Sequence, residues 1–404
     1  MRPTVRLSQR MLSAFIQYRT ARRRRGRALA PRMRRLGILC LSVAPWAVLV
    51  SGPGCAPSST PKPHVEDASP VLATSDGYVG STVCAPCHPG EAHDQARSRH
   101  ARTMHSATLS SLGELAPASG PIPGTKVAIL YDGDNIQMRA PGMAIYPEYV
   151  LGSGKTGMTY LLTVGGNTLV ELRGTYFPRL RKWTMTPGQM DAPSGTMGRP
   201  YSLPLARKCL SCHTTHLPPD GIIPESRFLG ITCEVCHGPG EAHVKAMYAG
   251  DYAHPHMDDL SQLKGPEALA LCGRCHRTAA DVKAQKLDAS ATQRFQPYGL
   301  ALSLCYRRSN GRLTCMTCHD PHTDADAPAS QARYVSVCLS CHAPGREGTS
   351  PRIRPCPIKP DGNCLPCHMP RRRVFARPDI PTEMPDHFIR VFRRGRPGVR
   401  GGMP

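Results

Sequence analysis

Seven copies of the pentapeptide C-x-x-C-H constrain this 404-residue chain more than any other feature. They are Cys84/Cys87/His88, Cys209/Cys212/His213, Cys233/Cys236/His237, Cys272/Cys275/His276, Cys315/Cys318/His319, Cys338/Cys341/His342 and Cys364/Cys367/His368. The pattern is the attachment signature of haem c. Thiols three residues apart share one turn of backbone and bond the two vinyl groups of one porphyrin. The histidine that follows is then placed beneath the ring as an iron ligand. Seven motifs predict seven covalent haems.

Two other chemistries use cysteine at this density. Structural zinc needs four ligands and pairs two C-x-x-C knuckles. Here the motif number is odd, and histidine follows the second cysteine every time. A disulfide framework places no demand on a histidine at a fixed position. Aromatic content is only 5%, low for a core of this size, and haem plates fill that gap.

The first 35 residues hold twelve Arg and no acid, and residues 36–50 form an apolar run. That run is short for a membrane span and right for the apolar region of an export signal. Met33-Arg34-Arg35, directly before it, makes a compact alternative start. Ser51-Gly52-Pro53-Gly54-Cys55 resembles a lipoprotein cleavage site, although Gly52 and Pro53 depart from the usual residues there. Two outcomes follow: a membrane tether through a lipid on Cys55, or soluble periplasmic release. Either is extracytoplasmic. The Pro, Ser and Thr of residues 56–77 suit a flexible tether.

The formal charge is +22, and twelve of those charges belong to the leader, which leaves +10 beyond it. Each haem adds two propionates against one ferric centre, so seven bring the whole close to neutral. The basic composition therefore does not imply nucleic acid. Arg371-Arg372-Arg373 and Arg393-Arg394 cluster in the tail 371–404, which reads as a solvated end or as a docking point for an acidic partner or membrane.

The expected fold is mainly α and irregular, with short helices and loops wrapped around haems, plus a small antiparallel β-rich insert. The expected order is signal 1–55, linker 56–77, first haem segment 78–105, haem-free insert 106–208, six-haem segment 209–370 and basic tail. Within the insert, strand-like runs flank Asp132-Gly133-Asp134 and Gly165-Gly166-Asn167, which are turn signals. They predict hairpins at about 125–185, serving either as cover for haems or as a partner or substrate face. Cys305 and Cys356 are left over in the mature chain, as a disulfide or as two separate thiols.

Ten histidines lie outside the motifs. His64 falls in the linker, and His93 reads as surface. His254 and His256 flank Pro255, so one of them ligates. The candidate second ligands are His100, His105, His216, His243, His256, His322 and His387, seven for seven irons. His216, His243 and His322 follow a motif histidine too closely to reach the far face of their own haem, but they can reach a neighbouring one. For each the alternative is a surface or propionate-bonding histidine. Met369 is a weak candidate ligand, and Pro370 makes a turn the better reading.

Several segments resemble a known group. They are Tyr78-Val79-Gly80-Ser81, Ser98-Arg99-His100-Ala101, G-I-T-C-E-V-C-H-G-P-G-E-A-H at 230–243, C-M-T-C-H-D-P-H at 315–322, C-L-P-C-H-M-P at 364–370, and Asp386-His387. Together, over 78–105 and 209–390, the chain resembles multihaem cytochromes related to the tetrahaem cytochrome that accepts electrons from hydroxylamine oxidoreductase. The resemblance implies His100, His243, His322 and His387 as distal ligands. The insert and the motif number depart from it. No C-x-x-C-K unit occurs, which argues against the lysine-ligated catalytic haem of related nitrite and tetrathionate reductases.

Electron transfer is the expected function: a periplasmic conduit passing single electrons between redox partner proteins. A rival is a reductase or oxidase of small nitrogen or sulfur compounds at one open haem, with the first haem as candidate. A third is a structural subunit of a larger respiratory complex, docking through the insert.

Overall fold

The computed structural model describes residues 73–190, 196–287, 292–343, 356–358, 362–374, 380 and 382–390. The signal, the Cys55 site, His64 and Arg393-Arg394 lie outside the described residues. Among the described residues no helix is long and apolar enough to cross a membrane.

The motifs lie at helix ends or in single helical turns. The third is the helix Cys233–His237, the fourth closes Gly265–His276, and the sixth closes Pro328–His342. In the first, fifth and seventh, the histidine N–H bonds the carbonyl of the first cysteine, at 2.9, 2.9 and 3.0 Å. A helical turn sets positions i and i+3 on one face, so both thiols point the same way. Pro328–His342 buries no residue at all although it is 15 residues long. Its apolar residues Val335, Val337 and Leu339 are half-buried.

The strands are more extensive than the sequence predicts. The insert holds β1 (Met104–Ser106), β2 (Gly120–Pro121), β3 (Ala128–Asp132), β4 (Asn135–Ala140), β5 (Met143–Ile145), β6 (Tyr149–Leu151), β7 (Met158–Val164), β8 (Thr168–Phe177), β9 (Lys182–Thr184) and β10 (Gly198–Tyr201). One antiparallel sheet runs β1-β6-β7-β8-β10, with β9 also on β8, and a second runs β2-β3-β4-β5. Both expected hairpins are present. Gly133 has φ +60° between β3 and β4, and Gly165 and Gly166 have φ +61° and +80° between β7 and β8. The architecture is therefore mixed rather than mainly α, and the β region spans 104–201 rather than 125–185. The added strands are two to four residues long, too short for an alternating pattern to register.

The larger sheet carries the second motif. Met104, Leu161 and Leu169 pack with Ala206, Leu210 and Ile222, all nearly or fully buried. Ala206 and Leu210 belong to the helix Leu203–Leu210, which delivers Cys209. The insert is thus bonded through its core to a haem-binding helix.

Beyond the insert, β11 (Arg371–Arg373) pairs with β12 (Glu383–Pro385). Asp386, mostly buried, holds Arg372 at 3.0 Å and Arg390 at 3.2 Å. The start of the expected solvated tail is thus folded back and ion-paired.

Glu234, between the two cysteines of the third motif, is 1% exposed. Its carboxylate accepts from the backbone N–H groups of Val79 (2.8 Å), Gly80 (2.8 Å) and Gly240 (2.9 Å). It clamps the first haem segment to the third motif. Glu234→Ala orphans three buried donors and should cost roughly 2–4 kcal/mol. Denaturant unfolding of the haem-loaded protein checks this; an unchanged midpoint would mean that water replaces the carboxylate.

Candidate haem-ligand sites

Cysteine is ordinarily among the most buried residues. Here none of the fourteen motif cysteines is buried; Cys87, Cys341 and Cys367 are exposed, and the other eleven are half-buried. His276 is crowded enough for desolvation to pull its pKa down, yet its surface is accessible.

Four pairs of histidine rings lie about 6 Å apart, centre to centre. His88 and His243 have centroids 6.3 Å apart, and His237 and His322 lie 6.3 Å apart with planes within 2°. His319 and His387 are separated by 6.2 Å with planes 28° apart, whereas His100 and His276, 6.1 Å apart, meet edge-on with planes at 80°. An imidazole nitrogen lies about 1.1 Å from its ring centre and about 2.0 Å from a first-row metal, so two imidazoles sharing one iron have centroids about 6.2 Å apart. The residues present therefore fit an iron between each pair.

The outer nitrogens are anchored as such ligation requires. A metal-bound imidazole uses its other nitrogen to hydrogen-bond a carbonyl or carboxylate, which fixes the ring's orientation. Nδ1 of His100 meets the Pro321 carbonyl (3.4 Å), that of His243 the Pro255 carbonyl (2.6 Å), and that of His387 the Pro385 carbonyl (3.0 Å). His322 Nδ1 lies 3.3 Å from Asp320 Oδ1. On the motif side, His237 uses the Asp258 carbonyl (3.3 Å) and His276 uses Gln296 Oε1 (2.9 Å). His319 donates to the Tyr334 hydroxyl oxygen (3.0 Å), whose own proton goes to the Ala325 carbonyl. Burial holds His100, His276, His319 and His387 below the ordinary imidazole range, His387 at about 4. They are neutral, the form that ligates.

Backbone crossings place these rings. Residue 231 donates its N–H to the His100 carbonyl (2.9 Å), and Gly230 donates to the His213 carbonyl (3.1 Å). A Cβ at Gly230, where φ is +80°, would sit 1.9 Å from the Ala101 carbonyl oxygen. Only glycine lets the third-motif segment pass this close to the His100 loop.

The other candidates are placed differently. His216 turns Nε2 to Asp76 (3.1 Å) and packs on Tyr78 and Phe228, at 4.7 and 5.1 Å. His256 is exposed with φ +51°, and His254 bonds Asp251. His105 lies on β1 opposite Val150, half-buried, with Nε2 shielded and lacking a hydrogen-bond partner. The motif histidines His213 and His368 anchor Nδ1 on the Thr103 (3.2 Å) and Arg390 (3.1 Å) carbonyls. Among the described residues, His213, His342 and His368 have no ring contact with another histidine. The first motif, the sequence's candidate for an open iron, faces His243.

Attachment thiols of different motifs also meet. Cys84 contacts Cys233, Cys212 contacts Cys275, Cys272 contacts Cys315, and Cys338 contacts Cys364. Cys305 and Cys356 are not bridged to each other in the structure. Among the described residues, no three His, Cys, Asp or Glu side chains converge as a zinc site would need.

Comparison with known proteins bears on the same segments. Residues 191–238, with the second and third motifs, match the family described as cytochrome c554 and c-prime. Residues 309–347, with the fifth and sixth, match the doubled CXXCH motif. The chain is similar to the multiheme cytochrome MtrA of Shewanella baltica (strain OS185), 27% identical over 206 residues. That match covers 47% of this chain and 54% of the relative, so about half the length of each. Among solved structures, the outer cell wall cytochrome OcwA shows 15% identity and a TM-score of 0.48, covering 78% of this chain and 79% of that one. The undecaheme cytochrome from the S-layer of Carboxydothermus ferrireducens shows 16% and 0.41, covering 80% and 53%. The matched motif segments and the paired histidines point to one chemistry, haem c attached at C-x-x-C-H motifs, in a chain whose residues 191–238 are similar to the cytochrome c554 and c-prime family.

Proposed function

We propose that the chain carries seven covalent haems and acts as an extracytoplasmic carrier of single electrons between redox partner proteins. The four histidine pairs carry this reading. Iron held by two imidazoles changes oxidation state with little rearrangement, which favours electron passage over substrate binding. The pairs run His243–His88, His322–His237, His100–His276 and His387–His319, so each outer ligand comes from a segment that follows a different motif. The thiol contacts put the first motif beside the third, the second beside the fourth, the fourth beside the fifth and the sixth beside the seventh. That contiguity gives short steps between haems. Export to the periplasm and a lipid tether through Cys55 belong to the same proposal, and nucleic acid has no part in it.

Electron paramagnetic resonance of the oxidised holoprotein tests it. Low-spin signals integrating to at least four irons per chain are expected, with an intact mass showing seven attached haems. A spectrum dominated by high-spin iron would overturn the carrier reading.

A further inference from the structure

Outside the haem-ligand sites, the described surface has a strongly basic hollow. A cavity of about 340 Å³ is lined by Arg97, Arg99, Arg102, Lys155 and Arg179, against Glu114 and Asp324. A second, of about 240 Å³, shares Arg99, Lys155 and Arg179 with it and adds Arg371, Asp326 and Glu383. The two form one cleft between the His100 loop and the β insert.

The charges are not balanced within the cleft. Arg99 pairs with Asp324 at 3.1 Å and with Asp326, and Lys155 also pairs with Asp326. That commits both aspartates. Among the described residues, Arg97 reaches only His93, at 3.5 Å. Among the described residues no carboxylate bonds Arg102 or Arg179. Arg97, Arg102, Arg179 and Arg371 outnumber the remaining lining acids, Glu114 and Glu383, and guanidinium groups in excess on a hollow suit an oxyanion, since their planar N–H forks match two oxygens at once. The wall is also built in advance. Gly154 has φ +80°, and a Cβ there would lie 2.4 Å from the Leu115 side chain, so the loop presenting Lys155 is seated tightly on the insert.

We infer that this cleft binds a small dianionic oxyanion, held by Arg97, Arg102 and Arg179 and backed by Lys155. Arg99 and Arg102 flank His100, whose ring lies 6.1 Å from that of His276. The bound anion therefore sits beside the loop that carries an iron ligand.

Calorimetric titration of the haem-loaded protein with sulfate, against chloride at equal ionic strength, tests the inference. One saturable site per chain is expected. The double variant Arg102→Ala/Arg179→Ala, both positions exposed, should weaken it at least tenfold while the haem absorption spectrum stays unchanged. Absence of saturable binding by the unaltered protein, as when haem propionates fill the cleft, overturns the inference. So does a double variant with unaltered haem spectrum that binds sulfate as tightly.

Discussion

In His322→Ala holoprotein, one low-spin haem signal disappears from the oxidised spectrum and one high-spin signal replaces it. The expectation rests on His322 and His237, whose rings are nearly parallel and 6.3 Å apart. Removing one imidazole leaves the iron with the other alone, and a five-coordinate iron is high-spin and open to gas. Carbon monoxide bound per reduced chain should rise by one. His322→Met tests the same position more gently. A thioether opposite imidazole raises the reduction potential, on the order of 100 mV, because it stabilises the ferrous state. His216→Ala is the matched control. Its Nε2 is spent on Asp76 and its ring on Tyr78 and Phe228, so the spectrum should not move. If His216→Ala converts a haem and His322→Ala does not, the facing-ring assignment is wrong.

That contrast shows what the sequence could and could not reveal. Both histidines follow a motif histidine by three residues, at 213 and 319, so spacing cannot separate them. The difference lies in contacts made across the chain: Asp76 is 140 residues from His216. The C-x-x-C-H units were legible because haem attachment needs both thiols and the histidine within one turn. The two hairpins were legible because glycine marks their turns. Glu234 was not, since its value comes from N–H groups 154 and 155 residues away. The basic cleft was equally hidden. Arg97, Lys155 and Arg179 are far apart in sequence and read singly as surface charge, and Arg371 read as part of the tail's arginine cluster. The short strands β1, β6 and β10 were missed because pairing partners, not local pattern, define three- and four-residue strands.

The second large effect concerns the route to the second haem. Cys212 contacts Cys275, so the second motif lies against the fourth. The fourth also contacts the fifth through Cys272 and Cys315, and Cys236 lies close to Cys272. In the proposed seven-haem arrangement, the fourth haem is the junction joining the second to the third and fifth. Cys272→Ser/Cys275→Ser removes that junction without touching Cys209, Cys212 or His213. The expected holoprotein mass falls by one haem. Reduction of the second haem by an electron entering elsewhere should then slow by several orders of magnitude, because tunnelling decays steeply once a porphyrin-wide gap opens. Cys364→Ser/Cys367→Ser also removes one haem, but beside the sixth motif, away from this junction. It should leave transfer to the second haem nearly unchanged. Flash-induced reduction followed at the haem bands separates the two. Equal slowing in both variants would mean that haem loss loosens the whole fold, and the fourth motif would lose its place as the crossing point. Slowing confined to the Cys272/Cys275 variant would fix the order in which electrons reach the haem docked on the β-sheet core, where Leu210 and Ala206 pack against Leu161 and Leu169.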